Sequence, residues 1–161
     1  MTDPLKPISE FVTYGIVTRS DIAKRLGIDN EVATDHIPAV YHTAKMYDEI
    51  CKGFGAHPNI NCFYRSALLN QNTPGSSKTS QHCKGEAMDL DMDLVPVKLN
   101  NSDLFHWIKD NMSFDQIIWE GDSHEESKPD WVHVSFRLDG KNRKQCLRMK
   151  KVNGVSTYTP F

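Results

Sequence analysis

The sequence predicts an α+β domain, with a small, mostly antiparallel sheet flanked by helices. Three observations carry that expectation. Helix-like segments come first, strand-like segments dominate the second half, and the late connections look like hairpins. The first helix reads as "SDIAKRLG", with Ser20 as N-cap and Gly27 as its stop. A longer helix follows over Pro38 to Lys52. Proline suits its first turn, Val40, Ala44, Tyr47 and Cys51 share a face, and Gly53 and Gly55 end it. "NINCFYRS" is rich in β-formers and reads as a strand reaching Tyr64 or Arg65. A polar loop, "NQNTPGSSKTSQ", leads to "SQHCKGEAMDLDMDL" (Ser80 to Leu94), in which Met88, Leu90, Met92 and Leu94 alternate with Asp89, Asp91 and Asp93 as in a half-buried strand. "SDLFHWIKDN" is a capped helix with Leu104, Phe105 and Ile108 as its apolar stripe, and "FDQIIWE" another strand. After a charged loop, "GDSHEESKPD", comes the strand "WVHVSFRL". The turn "DGKN" then feeds "RKQCLRMKK", read as its hairpin partner.

At 161 residues the chain has the length of one domain able to bury a sizeable core, so 1–161 reads as a single unit. With 39% apolar and 25% charged residues it falls among globular rather than disordered chains. A net charge of −2 gives no electrostatic footprint for nucleic acid. No apolar run is long enough for a transmembrane segment. The start "MTDPLKPISE" lacks the pattern of a signal peptide, so synthesis in a cytosol is expected. The four cysteines, Cys51, Cys62, Cys83 and Cys146, contain no C-x-x-C pair, and the expectation is reduced thiols, mostly buried as small hydrophobes.

The acidic strand poses a question, since three carboxylates on one face repel each other and strands are poor in aspartate. A second strand has the same two-sided character, with His133 and Ser135 opposite Val132, Val134 and Phe136. If both polar faces look into one cleft, His82, Asp89 and His133 converge there. Two imidazoles and one carboxylate make a zinc site with a fourth position open for water, and the cation relieves the carboxylate repulsion. Gly85 would allow the tight turn between His82 and Asp89. Asp130 precedes His133 by three residues, so strand parity puts the two on opposite faces. It can turn inward as a base only from a loop, which Pro129 favours. Arg65, past a strand end, could polarise a carbonyl or hold a carboxylate.

His36, His42, His57, His106 and His124 read as helix-surface, loop or capping residues, and Asp91 and Asp93 as solvated or hydrogen-bonding groups. A Cys83 nucleophile beside His82 is disfavoured, because neighbours on an extended chain point apart. Trp119 and Trp131 read as core or cleft-wall aromatics, and Glu120 as structural or substrate-contacting.

These residues resemble a known pattern. "SQHCKGEAMDLD" fits S-x-H-x-x-G-x-A-x-D, and "DWVHVS" fits D-x-x-H with its trailing strand. Together they resemble the zinc D-alanyl-D-alanine carboxypeptidase and L-alanoyl-D-glutamate endopeptidase family of peptidoglycan peptidases. The likeness is greatest to its short, single-domain, phage-type branch, with "GYRS…LN…GSKTSQH…GEAADI" and "WVHVSY". It covers nearly the whole chain. The resemblance implies a small antiparallel sheet flanked by helices, shared with the Hedgehog signalling domain. It implies a zinc ion on His82, Asp89 and His133, Asp130 as general base, Arg65 at the scissile carbonyl, and Ser80 as a substrate-contacting or supporting residue. Glu120 and Trp131 are assigned to substrate contact. The implied substrate is the stem peptide of bacterial peptidoglycan, met by a monomeric lysis enzyme released from the host cytoplasm to the cell wall. The competing reading is a weakly active or non-catalytic wall-peptide-binding or structural domain of a phage particle. Phe63 stands where the branch has glycine, and Met88 where it has a small residue, and either could reshape the cleft wall.

Overall fold

The computed structural model describes residues 2–121 and 127–161; the middle of the charged loop and His124 lie outside the described residues. In chain order the helices are α1 (Tyr14–Thr18), α2 (Asp21–Leu26), α3 (Ile37–Phe54), α4 (Ala67–Gln71) and α5 (Asn101–Asn111). The strands are β1 (Asn59–Cys62), β2 (Ala87–Asp91), β3 (Gln116–Glu120), β4 (Trp131–Ser135), β5 (Gln145–Val152) and β6 (Val155–Pro160). They form one sheet in the order β1-β2-β4-β3-β5-β6, antiparallel at every step except β3–β5. The α+β expectation holds.

Local chemistry accounts for the main elements. Ser20 caps α2 by accepting a hydrogen bond from the Ala23 N–H, and Gly27 ends it in the left-handed region at φ 64°. In α3, Pro38 occupies the first turn, and Val40, Ala44, Tyr47 and Cys51 fall on the buried stripe. The cap of α5 is Asn100, paired reciprocally with Asp103 in a capping box, two residues ahead of the Ser102 start of the quoted segment.

The core forms where the apolar stripes of α3 and α5 cover one face of β2, β4 and β3. Met88, Leu90, Val132, Val134 and Ile117 point into it, and all are inaccessible to solvent. Phe63 and Met88 are fully buried in this core, so both serve packing rather than the wall of a cleft.

Several expectations are corrected. The strand expected to reach Tyr64 or Arg65 stops at Cys62, after an irregularity between Ile60 and Cys62. The stretch from Ser80 is not strand throughout: Gln81–Lys84 form a single 3-10 turn, β2 starts at Ala87, and Leu94 is exposed. Cysteine burial was over-expected, since only Cys51 is buried and the other three free thiols are half-buried.

The segment after "DGKN" is not the hairpin partner of β4. Both edges of β4 are taken, by β2 and β3. The reversed chain therefore steps over β3 and adds to its free edge, where it runs parallel to it. Asp115, fully buried just before β3, fixes that step. It accepts from the Arg143 backbone N–H at 3.1 Å and from its guanidinium at 2.9 and 2.6 Å, and its carbonyl accepts from Gln145 N–H. The hairpin the chain does make is β5–β6, turned at Asn153–Gly154 with φ 52° and 78°, the Asn-Gly pair typical of a two-residue turn.

Candidate metal centre

Opposite the core, β2 and β4 present a polar face. Asp89 lies directly across from His133 in the β2–β4 ladder, so their side chains share that face. His82 reaches it from the 3-10 turn. Gly85, at φ 72°, turns the chain from His82 into β2, and a Cβ there would strike Val40 Cγ2, so only glycine permits the turn so close to α3.

One oxygen gathers the two imidazoles. Asp89 Oδ1 is 3.0 Å from His133 Nδ1 and 3.3 Å from His82 Nε2, and the two rings meet edge to face at 5.1 Å between centroids. His82 is 1% exposed and His133 8%. The other nitrogen of His82, Nδ1, lies 2.7 Å from the Phe63 carbonyl oxygen. Its N–H donates there, which leaves Nε2 as the nitrogen facing Asp89; a metal-binding histidine is commonly fixed in this way. Electrostatics follow from the geometry. Burial disfavours a charged His82, yet Asp89 beside it holds its pKa well above the ordinary value. Burial opposes ionisation of Asp89 too, but His82 and His133 outweigh it and keep the carboxyl far below the usual range. Burial wins at His133, whose pKa is lowered despite Asp89.

The donor set fits zinc. Bonds of about 2.0–2.2 Å to tetrahedral nitrogen and oxygen donors separate those donors by roughly 3.3 Å. The contacts of 3.0 and 3.3 Å around Asp89 Oδ1 are of that size. A sulfur lies close to two of them, because Cys62, His82 and Asp89 offer donor atoms that all lie within 4.8 Å of one another.

The other expected residues lie on neighbouring turns and strand ends. Arg65 donates through Nη2 to Ser80 Oγ at 3.0 Å, and its backbone N–H bonds the His82 carbonyl. Ser80 thus holds Arg65, and the guanidinium Nε is buried without a partner among the described residues. Asp130 lies just before β4, on the loop side as parity required, with its N–H donating to the Glu120 carbonyl. Its carboxylate packs on Gly121, where a Cβ would stand 3.0 Å from Oδ2. Glu120 and Trp131 face each other across β3 and β4, on the side of the sheet that carries His133. Glu120 is only 8% exposed, and burial, reinforced by Asp89, pushes its pKa up to about 7.

Asp91 and Asp93 have partners. Asp91 accepts from Asn61, from Asn101 and from the Asp93 backbone N–H, while Asp93 lies 3.6 Å from Lys128 Nζ. His36 meets the Tyr64 hydroxyl, His57 packs on Phe11, and His106 packs among Phe105, Trp119 and Phe161, all apart from the cluster.

Two residues were missed. Asn101, fully buried, ties the polar face together: Nδ2 donates to Asp91 Oδ1 and to the carbonyls of Pro129 and Asp130, and Oδ1 accepts from Met92 N–H. Its only sequence signal is its place next to the cap. Cys62 reads from sequence as a small hydrophobe, and its approach to His82 and Asp89 depends on the irregularity in β1.

No curated protein sequence matches the chain. The profile of the Peptidase M15 family, a family of zinc-dependent peptidases, matches residues 10–135. That span contains His82, Asp89, Asp130 and His133, together with β2, β4 and the turn that carries His82. On this match and on a cluster able to hold a metal ion, the chain belongs to the peptidase M15 family of metallopeptidases.

Proposed function

We propose that this protein is a zinc peptidase that hydrolyses an amide bond in the stem peptide or cross-link of bacterial peptidoglycan, as a carboxypeptidase or endopeptidase. The observation that supports this most is the single oxygen of Asp89 shared by His82 and His133 at 3.3 and 3.0 Å, in a chain of a zinc-peptidase family. His82, Asp89 and His133 would hold the zinc, which would supply Lewis acidity to a water and to a carbonyl oxygen.

Asp130 takes the proton of the attacking water and returns it to the departing amine. Its place at the mouth of β4, three residues from His133, suits that task. Arg65, steered by Ser80, stabilises the negative charge that develops on the carbonyl oxygen; one such donor is typically worth about 3 kcal/mol. The unpartnered Nε of Arg65 supports this role, since a buried donor without a partner is costly unless a ligand completes it. Glu120 and Trp131 contact the substrate from the same side of the sheet. Among the described residues no helix is long and apolar enough to cross a membrane. We assign the protein a role as a monomeric phage lysis enzyme that passes from host cytoplasm to cell wall.

The test is digestion of purified peptidoglycan by the zinc-loaded protein and by its Asp130→Ala and His133→Ala variants, with new termini identified by mass spectrometry. New stem-peptide termini with wild type alone are expected. Equal cleavage by Asp130→Ala would remove the base assignment, and stoichiometric zinc without cleavage would favour a wall-peptide-binding module.

A further inference from the structure

Cys62 enters the polar face through a fault in strand β1. Ile60 pairs with Leu90 and so faces the core; regular alternation would send Cys62 to the core as well. The register shifts between them, and Cys62 pairs with Asp89 instead. The extra residue flips the side chain to the other face, as a bulge does. Its sulfur then stands 3.7 Å from His82 Nδ1 and belongs to the group of donors, with His82 and Asp89, that lie within 4.8 Å of one another.

The contact with Nδ1 does not account for the thiol. That nitrogen already donates its hydrogen to the Phe63 carbonyl at 2.7 Å, and an N–H nitrogen has no lone pair to offer an S–H. The contact thus gives the thiol proton no acceptor at Nδ1, and the sulfur lies beside the Asp89 carboxylate and the His82 imidazole, donors that can hold a cation with it.

We propose that Cys62 is a fourth metal donor of this centre, its thiolate taking the coordination position that His82, Asp89 and His133 leave open. The inference rests on the reading of those three residues as ligands and adds a sulfur to it. When the metal–sulfur bond forms, the S–H bond breaks and its proton passes to solvent, with no change of oxidation state. A thiolate tilts the site towards zinc, cadmium and cobalt over magnesium and calcium. It also gives the centre a closed form with four protein donors, the arrangement of a structural rather than a catalytic zinc site. Hydrolysis then requires exchange of the thiolate for water, so Cys62 sets a resting state that a centre with three ligands lacks.

Cobalt(II) substitution tests this through a readout independent of peptidase activity. The wild-type protein and a Cys83→Ser control should show a sulfur-to-cobalt charge-transfer band in the near ultraviolet. Cys62→Ser and Cys62→Ala should lose that band while still binding cobalt stoichiometrically, and should release it at least tenfold more readily. Stoichiometric cobalt in the wild type without the band would overturn the Cys62 assignment and leave the other three ligands standing. Failure of the wild type to bind cobalt would overturn the three-ligand reading and the sulfur with it.

Discussion

The two faces of β2 and β4 come from alternate residues of the same strands, yet they are organised by opposite rules. On one face Met88, Leu90, Val132 and Val134 meet α3 and α5 with no solvent exposure, and any side chain of similar shape and volume could stand there. On the other, His133 is buried and Asp89 half-buried, but their identities are fixed by atoms 3.0 Å apart. Packing is tolerant of identity and intolerant of voids; a cluster of charged donors is the reverse. One strand satisfies both only because side-chain direction alternates strictly, so a single shift in register would destroy core and site together. The two faces should accordingly separate in experiment, one setting stability and the other metal binding and activity.

The largest separation is expected from Asp130→Ala. Loss of a general base lowers turnover by about 10²–10⁴-fold, while the melting temperature and zinc content stay near those of the wild type. Steady-state cleavage of a defined stem peptide, with metal analysis of the same sample, checks this. Leu90→Ala does the opposite from the neighbouring position. A fully buried leucine truncated to alanine costs about 2–5 kcal/mol in urea unfolding, with zinc still bound stoichiometrically below the transition.

Glu120 gives the polar face a pH signature of its own. Its pKa lies at about 7 in the folded protein, above the 4.5 of an unperturbed glutamate, so the folded state holds its proton more tightly. Stability of the metal-free protein should therefore fall as pH rises from about 4.5 through 7. Glu120→Gln removes that loss. The variant should be the more stable above pH 7, by on the order of 3 kcal/mol, and the gap should close below the unfolded value. Denaturant unfolding at a series of pH values reads this directly.

The smallest effect sharpens the comparison, because Asn101 sits at the start of a core-covering helix yet ties the polar face together. Asn101→Ala leaves the Met92 N–H and the Asp130 carbonyl without their partner, and should cost about 1–3 kcal/mol. It should lower turnover more than it raises KM, through misplacement of Asp130; a change in stability alone would show that the asparagine has no part in placing the base.

How far the sequence foretells this molecule depends on whether the signal is local. The caps at Ser20 and Gly27, the stripe of α3, the alternation of Met88 to Met92 and the Gly85 turn are local, and each is found where expected. The hairpin partner assigned to β4 failed because a turn fixes chain reversal but not which strand is adjacent; that choice lay with Asp115 and Arg143, distant in sequence. Convergence of His82, Asp89 and His133 could be read from two polar strand faces and a motif. Cys62 could not, because a bulge inverts the parity on which strand reading depends. Asn101 escaped for a similar reason: its acceptors come from segments on either side of α5 that only the fold brings together.

The central claim is that the polar face of β2 and β4 is a zinc centre, and its most direct test is zinc content per chain after exhaustive dialysis. The account predicts stoichiometric zinc in the wild type and in Asp130→Ala, and its loss in His82→Ala, Asp89→Ala and His133→Ala. Zinc retained in full by Asp89→Ala, the residue whose one oxygen joins both imidazoles, would contradict it.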